Sequence, residues 1–362
     1  MSNTTDPCLI FKPIEKIGGL ERYVAELADT IDAPIYTPVQ TVELPNTSSG
    51  RAPDVIEFRR NDWMRAVLDR APIGAIVNSL EYEDFAVPDK HDTVITVSEA
   101  AKAVIQQPHQ RRVHLLNMPP RWLFDLGPGR YNDAPALVGW LKRWYQSRVR
   151  VHDVSTVSRI EEFVVPSETI GERLRSYYSR TADHVIYPPV DTDRYYCEAN
   201  GGYLLYVGRL APAKRVVELV TALSGTEYRL QVAGTGPQEA AVREAAGPNV
   251  DVLGYVSEDE KRDLLANCDA LVFNSDREAF GIVPVEALAS GKPVVGIAEG
   301  FTKQQIQDGD NGVLFERGAE NLREAVERMY DREWNANHIQ ESAQRYDVER
   351  FREAWREVCS AK

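Results

Sequence analysis

The stretch from Cys268 to Gly296, CDALVFNSDREAFGIVPVEALASGKPVVG, constrains the fold more than any other part of the chain. Cys268 to Asn274 is an apolar run of strand length, Ser275 to Glu278 is a polar loop, and Pro284 to Ser290 reads as a short helix closed by Gly291. A buried strand therefore feeds a helix N-terminus, the basic step of an α/β layer architecture.

Two glutamates stand eight residues apart here, Glu278 on the loop and Glu286 on the helix, with Phe280 and Gly281 at the turn between them. Free backbone N–H groups at such a turn, with the positive end of the helix dipole, make a seat for phosphate. Gly281 lets a ligand approach the backbone closely. A carboxylate one to two turns into the helix can accept hydrogen bonds from neighbouring hydroxyls, as the acidic residue of dinucleotide folds does with ribose. Spacing alone leaves a plainer alternative open: Glu278 caps the helix and Glu286 lies on its solvated face.

The run Glu278-Ala279-Phe280-Gly281-Ile282-Val283-Pro284-Val285-Glu286-Ala287, followed by Ser290-Gly291-Lys292-Pro293-Val294, resembles the paired-glutamate motif of family 4 retaining glycosyltransferases of the GT-B fold. The resemblance implies two Rossmann-like α/β domains facing across a cleft. It gives Glu286 to the ribose hydroxyls, Glu278 to the sugar, and the backbone at Phe280, Gly281 and Ile282 to phosphate and sugar.

Length and charge narrow the functions further. With 362 residues the chain is long for one core and comfortable for two. Lys+Arg 42 against Asp+Glu 55 gives a net charge of −13, which argues against a nucleic-acid surface and leaves phosphate chemistry to local cations. Cys8, Cys197, Cys268 and Cys359 are far apart and have no metal or CxxC spacing, and the six histidines offer none either, so no metal is expected. No apolar run is long enough to span a bilayer, and the polar start lacks a signal-peptide core, so a cytoplasmic protein is expected.

Along the chain, residues 7 to 11 read as a first strand, and Gly18-Gly19 opens an amphipathic helix from Leu20 to Ile31. Two adjacent glycines fit a flexible turn as well as a phosphate loop. The resemblance places such a loop near the donor phosphates and the acceptor. Strands are expected at Ala33–Thr37, Asp54–Phe58, Gly74–Ser79, Thr93–Ser98 and Arg112–Leu116. The last leads into Asn117-Met118-Pro119-Pro120-Arg121, a rigid proline turn. This turn also resembles a loop of a mannosyltransferase-like branch, with Asn117 where that branch carries histidine, so Asn117 and Arg121 fall on the acceptor side. Asn cannot titrate near neutral pH. His114 is a poor substitute, since an odd separation along a strand points it to the other face, into the core. Long helical spacing follows over Leu137–Ile160.

The prolines of Pro188-Pro189-Val190-Asp191-Thr192-Asp193-Arg194-Tyr195 mark a boundary. Residues 1–187 are expected to form an acceptor domain, 188–345 a nucleotide-sugar donor domain, and 346–362 a helix crossing back onto the first. In the second part, Arg209 and Lys214 flank the start of a helix at Val216, where cations oppose the dipole. They either solvate that end or answer a bound anion, and the resemblance gives both to the diphosphate. It also puts backbone near Gly254 and Tyr255 against the base. Gln304 and Gln305 stand where the family has Glu-Thr.

The expectation is a retaining hexosyltransferase, with mannose the sugar that the branch resembled implies, using a GDP- or UDP-linked sugar and no cofactor. Its acceptor would be a saccharide or a lipid-linked saccharide, the latter bringing peripheral contact with the inner face of the membrane. A nucleotide-sugar binding subunit without catalysis, and an epimerase or hydrolase of the same fold, are the alternatives.

Overall fold

The computed structural model describes residues 6–58, 81–127 and 134–361. The expected strand Gly74–Ser79 lies outside them. The chain divides into two compact units, Met1–Tyr187 with Phe351–Lys362, and Pro188–Arg350.

Among the described residues the first unit has seven parallel strands: β1 (Pro7–Phe11), β2 (Ile35–Thr37), β3 (Val55–Glu57), β4 (Thr93–Val97), β5 (Arg111–Leu115), β6 (Glu162–Val165) and β7 (His184–Val185). Their order in the sheet is β3-β2-β1-β4-β5-β6-β7. Residues of β1 and β4 are buried throughout, as a parallel sheet covered on both faces requires. Helices α1 (Gly19–Ile31), α2 (Ala136–Val157) and α3 (Glu168–Tyr178) accompany it. Ser167 caps α3, its hydroxyl accepting from Ile170 N–H.

The core of this unit is closed by the far end of the sequence. Phe351, Trp355 and Val358 pack with Leu9, Phe11, Tyr23 and Leu27. Trp355 is fully buried and its Nε1 donates to Tyr23 Oη at 3.1 Å. Arg111 donates to the carbonyls of Val358 and Ala361 at 2.6 and 2.9 Å.

The second unit holds β8 (Leu204–Val207), β9 (Leu230–Ala233), β10 (Val250–Gly254), β11 (Ala270–Phe273), β12 (Val294–Ile297) and β13 (Gly312–Phe315), all parallel, in the order β10-β9-β8-β11-β12-β13. Around them lie α4 (Val216–Leu223), α5 (Glu239–Ala245), α6 (Glu258–Asn267), α7 (Ile282–Ala289), α8 (Thr302–Gln305), α9 (Ala319–Tyr330) and α10 (Ala336–Ala343), and α11 (Val348–Ser360) ends the chain. The winding reverses between β8 and β11. Such a reversal is the place where open α/β sheets seat ligands, outside the carboxyl ends of the two neighbouring strands.

Two elements of the second unit escaped the sequence reading. Strand β12 follows Pro293 directly and was read only as part of a motif. Helix α10 buries only Ile339 and Ala343, too few apolar positions to announce a helix, and is started instead by Asn335, whose side chain accepts from His338 N–H at 3.2 Å.

Candidate active site

The loop after β8 carries Arg209 and Lys214, and the loop after β11 carries Glu278, so the strand reversal brings the expected groups together. Asp276 N–H donates to Ala213 O at 2.8 Å and ties one loop to the other. Across this seam Lys214 Nζ donates to Glu278 Oε2, which also accepts from Ser275 Oγ. Arg209 is exposed, and its side chain forms no ion pair or hydrogen bond among the described residues. Arg215, in the left-handed region at φ 51°, pairs instead with Glu218 at 2.6 Å.

Two glycine contacts fix this geometry. A Cβ on Gly234 would stand 1.9 Å from Gly208 O, and one on Gly236 would stand 2.4 Å from Leu210 O. Leu210 N–H donates to Thr235 O at 2.9 Å, so the Gly-Thr-Gly turn clasps the Arg209 loop main chain to main chain. Gly300 does the same behind Glu278, where a Cβ would meet Glu278 O at 2.6 Å.

Helix α7 begins beside Glu278. Gly281, at φ 82°, is its N-cap and has no side chain to cap it. Among the described residues the N–H groups of Ile282 and Val283 meet no acceptor, and Pro284 in the first turn has no N–H to satisfy. Gln305, buried, donates from Nε2 to Gly281 O at 3.0 Å. The residue that departs from the family pattern thus braces the turn. Phe280 is buried and stacks on Phe301 with centroids 5.3 Å apart, so only its backbone can meet a ligand.

Glu286 is not the open carboxylate that its position suggested. It is buried; Oε1 accepts from Lys261 Nζ at 2.7 Å and from Tyr195 Oη at 2.8 Å, while Oε2 is buried without a hydrogen-bond partner among the described residues. Burial would lower the Lys261 pKa, but the Glu286 charge, with bonds to Glu258 and Glu286, holds it above its ordinary value. Burial, then the same carboxylate, pushes the Tyr195 hydroxyl far up. The sequence reading missed Tyr195 and Lys261. Tyr195 ends the proline linker and Lys261 sits among alternating charges on α6, so neither position gave a signal.

The remaining expected residues are dispersed. Gly254 O accepts from Gly234 N–H at 2.6 Å, and Tyr255 beyond it is 81% exposed. In the first unit Gly18 caps α1, which starts at Gly19, and Asn117 is half-buried with no hydrogen bond among the described residues. Arg121 pairs with Asp125 at 2.9 Å. His114 lies in the core with Nδ1 2.8 Å from Thr96 Oγ1, and burial together with the Lys102 charge keeps it well below the ordinary histidine pKa. Among the described residues no three His, Cys, Asp or Glu side chains are grouped to hold a metal, and no helix is long and apolar enough to cross a membrane.

Burial acts to raise the Glu278 pKa, but the Lys214 charge, with hydrogen bonds from Lys214, Ser275 and Ala279 N–H, outweighs it and holds the carboxyl below its ordinary value. A folded pKa below the unfolded one adds stability above the unfolded value and loses it as pH falls through the folded one. Glu278→Gln is therefore expected to flatten the acid limb of a stability profile taken by denaturation from about pH 7 to about pH 3. Parallel profiles for the two proteins would contradict the pairing.

Residues 198–346 match the family model described as glycosyl transferases group 1. An uncharacterized glycosyltransferase of Methanocaldococcus jannaschii is 30% identical over 154 residues, covering 41% of this chain and 44% of that protein. A GDP-mannose-dependent alpha-(1-6)-phosphatidylinositol dimannoside mannosyltransferase of Mycobacterium tuberculosis is 30% identical over 136 residues, 36% of this chain and 35% of that one. The chain spans less than half the length of these relatives. The solved sucrose-phosphate synthase of Thermosynechococcus elongatus superposes over 99% of this chain and 100% of its own, with TM-score 0.72 at 17% identity. At that identity the likeness is one of fold, the two Rossmann-like α/β domains of GT-B.

Proposed function

Residues 198–346 belong to the glycosyl transferases group 1 family, and from that premise we propose that this protein moves a hexose from a nucleotide-diphosphate sugar to an acceptor hydroxyl with retention at the anomeric carbon. The observation that carries the proposal is the Lys214–Glu278 pair at the strand reversal, with an exposed Arg209 whose side chain has no partner among the described residues and the N-terminus of α7.

Arg209, Lys214 and the N–H groups of Ile282 and Val283 receive the diphosphate and the charge that grows on it as the sugar leaves. Glu278, kept ionised by Lys214, accepts hydrogen bonds from sugar hydroxyls. Glu286, held in place by Tyr195 and Lys261, turns its free oxygen toward ribose once the nucleotide opens that side. Gly254 and Tyr255 flank the base. With Glu278 committed to Lys214, attack comes from the leaving-group face: the anomeric carbon loses its phosphate oxygen and gains the acceptor oxygen, and the acceptor's proton passes to the departing phosphate. Charge neutralisation by Arg209 and Lys214 calls for no metal.

The first unit, with Gly18, Gly19, Asn117 and Arg121, takes the acceptor, and the second takes the donor. The dependence of the Mycobacterium relative on GDP-mannose supports mannose as the sugar. Screening GDP- and UDP-sugars for a rise in thermal midpoint, then following product with saccharide acceptors, tests this reading. One donor is expected to stabilise the protein and to be consumed only with acceptor present. Binding without turnover would make the chain a binding subunit, and sugar release without acceptor would make it a hydrolase or epimerase.

A further inference from the structure

Helix α2 is built inside out. The residues it turns into the first unit are Gly139, Gln146, Val149, Asp153, Thr156 and Val157, half of them polar. Gln146 Nε2 donates to Trp122 O, and Asp153 accepts from Lys102 Nζ at 2.5 Å and from Tyr178 Oη at 2.6 Å. These polar anchors, rather than an apolar seam, hold the helix in place.

On the opposite side stand Leu137, Trp140, Leu141, Trp144, Val151 and Val154, at helical spacing and all exposed, Leu137 by 70%, Trp140 by 56% and Val151 by 62%. An ordinary surface helix has its apolar stripe facing the core. Here that stripe faces outward, and folding does not account for it. Lys142, Arg143, Arg148 and Arg150 are exposed along the same helix, the Arg148 guanidinium lying 5.6 Å from the Trp144 ring. The only acid in the helix is Asp153, which is buried. On a chain of net charge −13 this helix thus carries four exposed cations and, within its own length, no acid but the buried Asp153.

We propose that the outward face of α2 docks on a lipid surface rich in anionic headgroups, with Trp140 and Trp144 at the interfacial level and the arginines against phosphate. Tryptophans beside a basic fringe are the side chains that suit an interfacial helix, and the reversal of local charge against the whole chain fixes the sign of the surface. The surface does not rest on the transfer reaction, because docking needs neither donor nor acceptor.

The test is co-sedimentation of the full chain with vesicles of equimolar phosphatidylglycerol and phosphatidylcholine, against phosphatidylcholine alone. Binding is expected only to the anionic vesicles and is expected to weaken as salt is added. Trp140→Gln with Trp144→Gln should weaken it by about tenfold or more, since the interfacial anchors are lost. Arg143→Gln with Arg148→Gln should erase the preference for anionic lipid. All four side chains are exposed, so thermal midpoints should match the unaltered protein; Val151→Gln gives a second apolar probe should a double variant misfold. No vesicle binding, equal binding to both vesicles, or undiminished binding of the variants overturns the proposal. A dimer in light scattering that the tryptophan variant returns to monomer would also overturn it, by making a second copy the occupant.

Discussion

Lys214→Ala is expected to lower kcat for hexose transfer by about two to three orders of magnitude while the protein folds normally. The side chain is partly exposed, and its main contact is with Glu278, so little packing is lost. What disappears is the cation placed where negative charge develops on the leaving diphosphate. Such an interaction strengthens between ground and transition states, so the loss should fall on kcat more than on KM. Lys214→Arg, which keeps the charge, should recover part of the rate. A second effect has to be separated: without Lys214, burial is left to raise the Glu278 pKa. If that alone slowed the reaction, raising the pH would restore the Ala variant; if the cation acts on the leaving group, it would not. A well-folded Lys214→Ala enzyme with near-full activity would remove Lys214 from the mechanism and, with it, the central support for the donor site.

The second large effect expected is on stability. Gly234→Ala must put a methyl carbon 1.9 Å from the Gly208 carbonyl oxygen in a backbone held at φ 140°, where neither partner is a side chain that can swing away. Overpacking of this kind together with backbone strain should cost about 3 kcal/mol. Gly202→Ala is the control, since Gly202 also has positive φ (74°) but nothing within 4 Å of the added carbon. It should cost about 1 kcal/mol, the conformational part alone. Denaturant midpoints for the two variants therefore isolate the steric part at the clasp. Equal losses would mean that the loop carrying Arg209 moves aside freely, and that the turn does not hold it.

Local pattern carried the architecture. Pro7–Phe11 has the bounds read from its apolar run, a helix starts at Val216 as expected, and the stretch through Glu278 and Glu286 runs from strand to turn to helix as read. Those features are short-range and are written in consecutive residues. The rest depends on contacts made across the chain. Tyr195 reaches Glu286 over 91 positions, and Gln305 reaches Gly281 over 24, and no run of sequence announces either pairing. The same holds for the clasp at Gly234, since the glycine's meaning lies in a carbonyl on a different loop. Helix α2 was visible as a helix, but its orientation was not, because the decisive fact is which face the polar anchors Gln146 and Asp153 take.

The closing of the first unit's core by Phe351, Trp355 and Val358 bears on how the molecule is made. On a ribosome the first unit's sheet emerges before Pro188–Arg350, yet Tyr23 and Leu27 stay uncovered until Phe351, Trp355 and Val358 have left the exit tunnel. The middle of the polypeptide, Pro188–Arg350, has all its own strands in hand before then. Maturation should therefore see Pro188–Arg350 settle first, with Tyr23 and Leu27 waiting for Phe351, Trp355 and Val358.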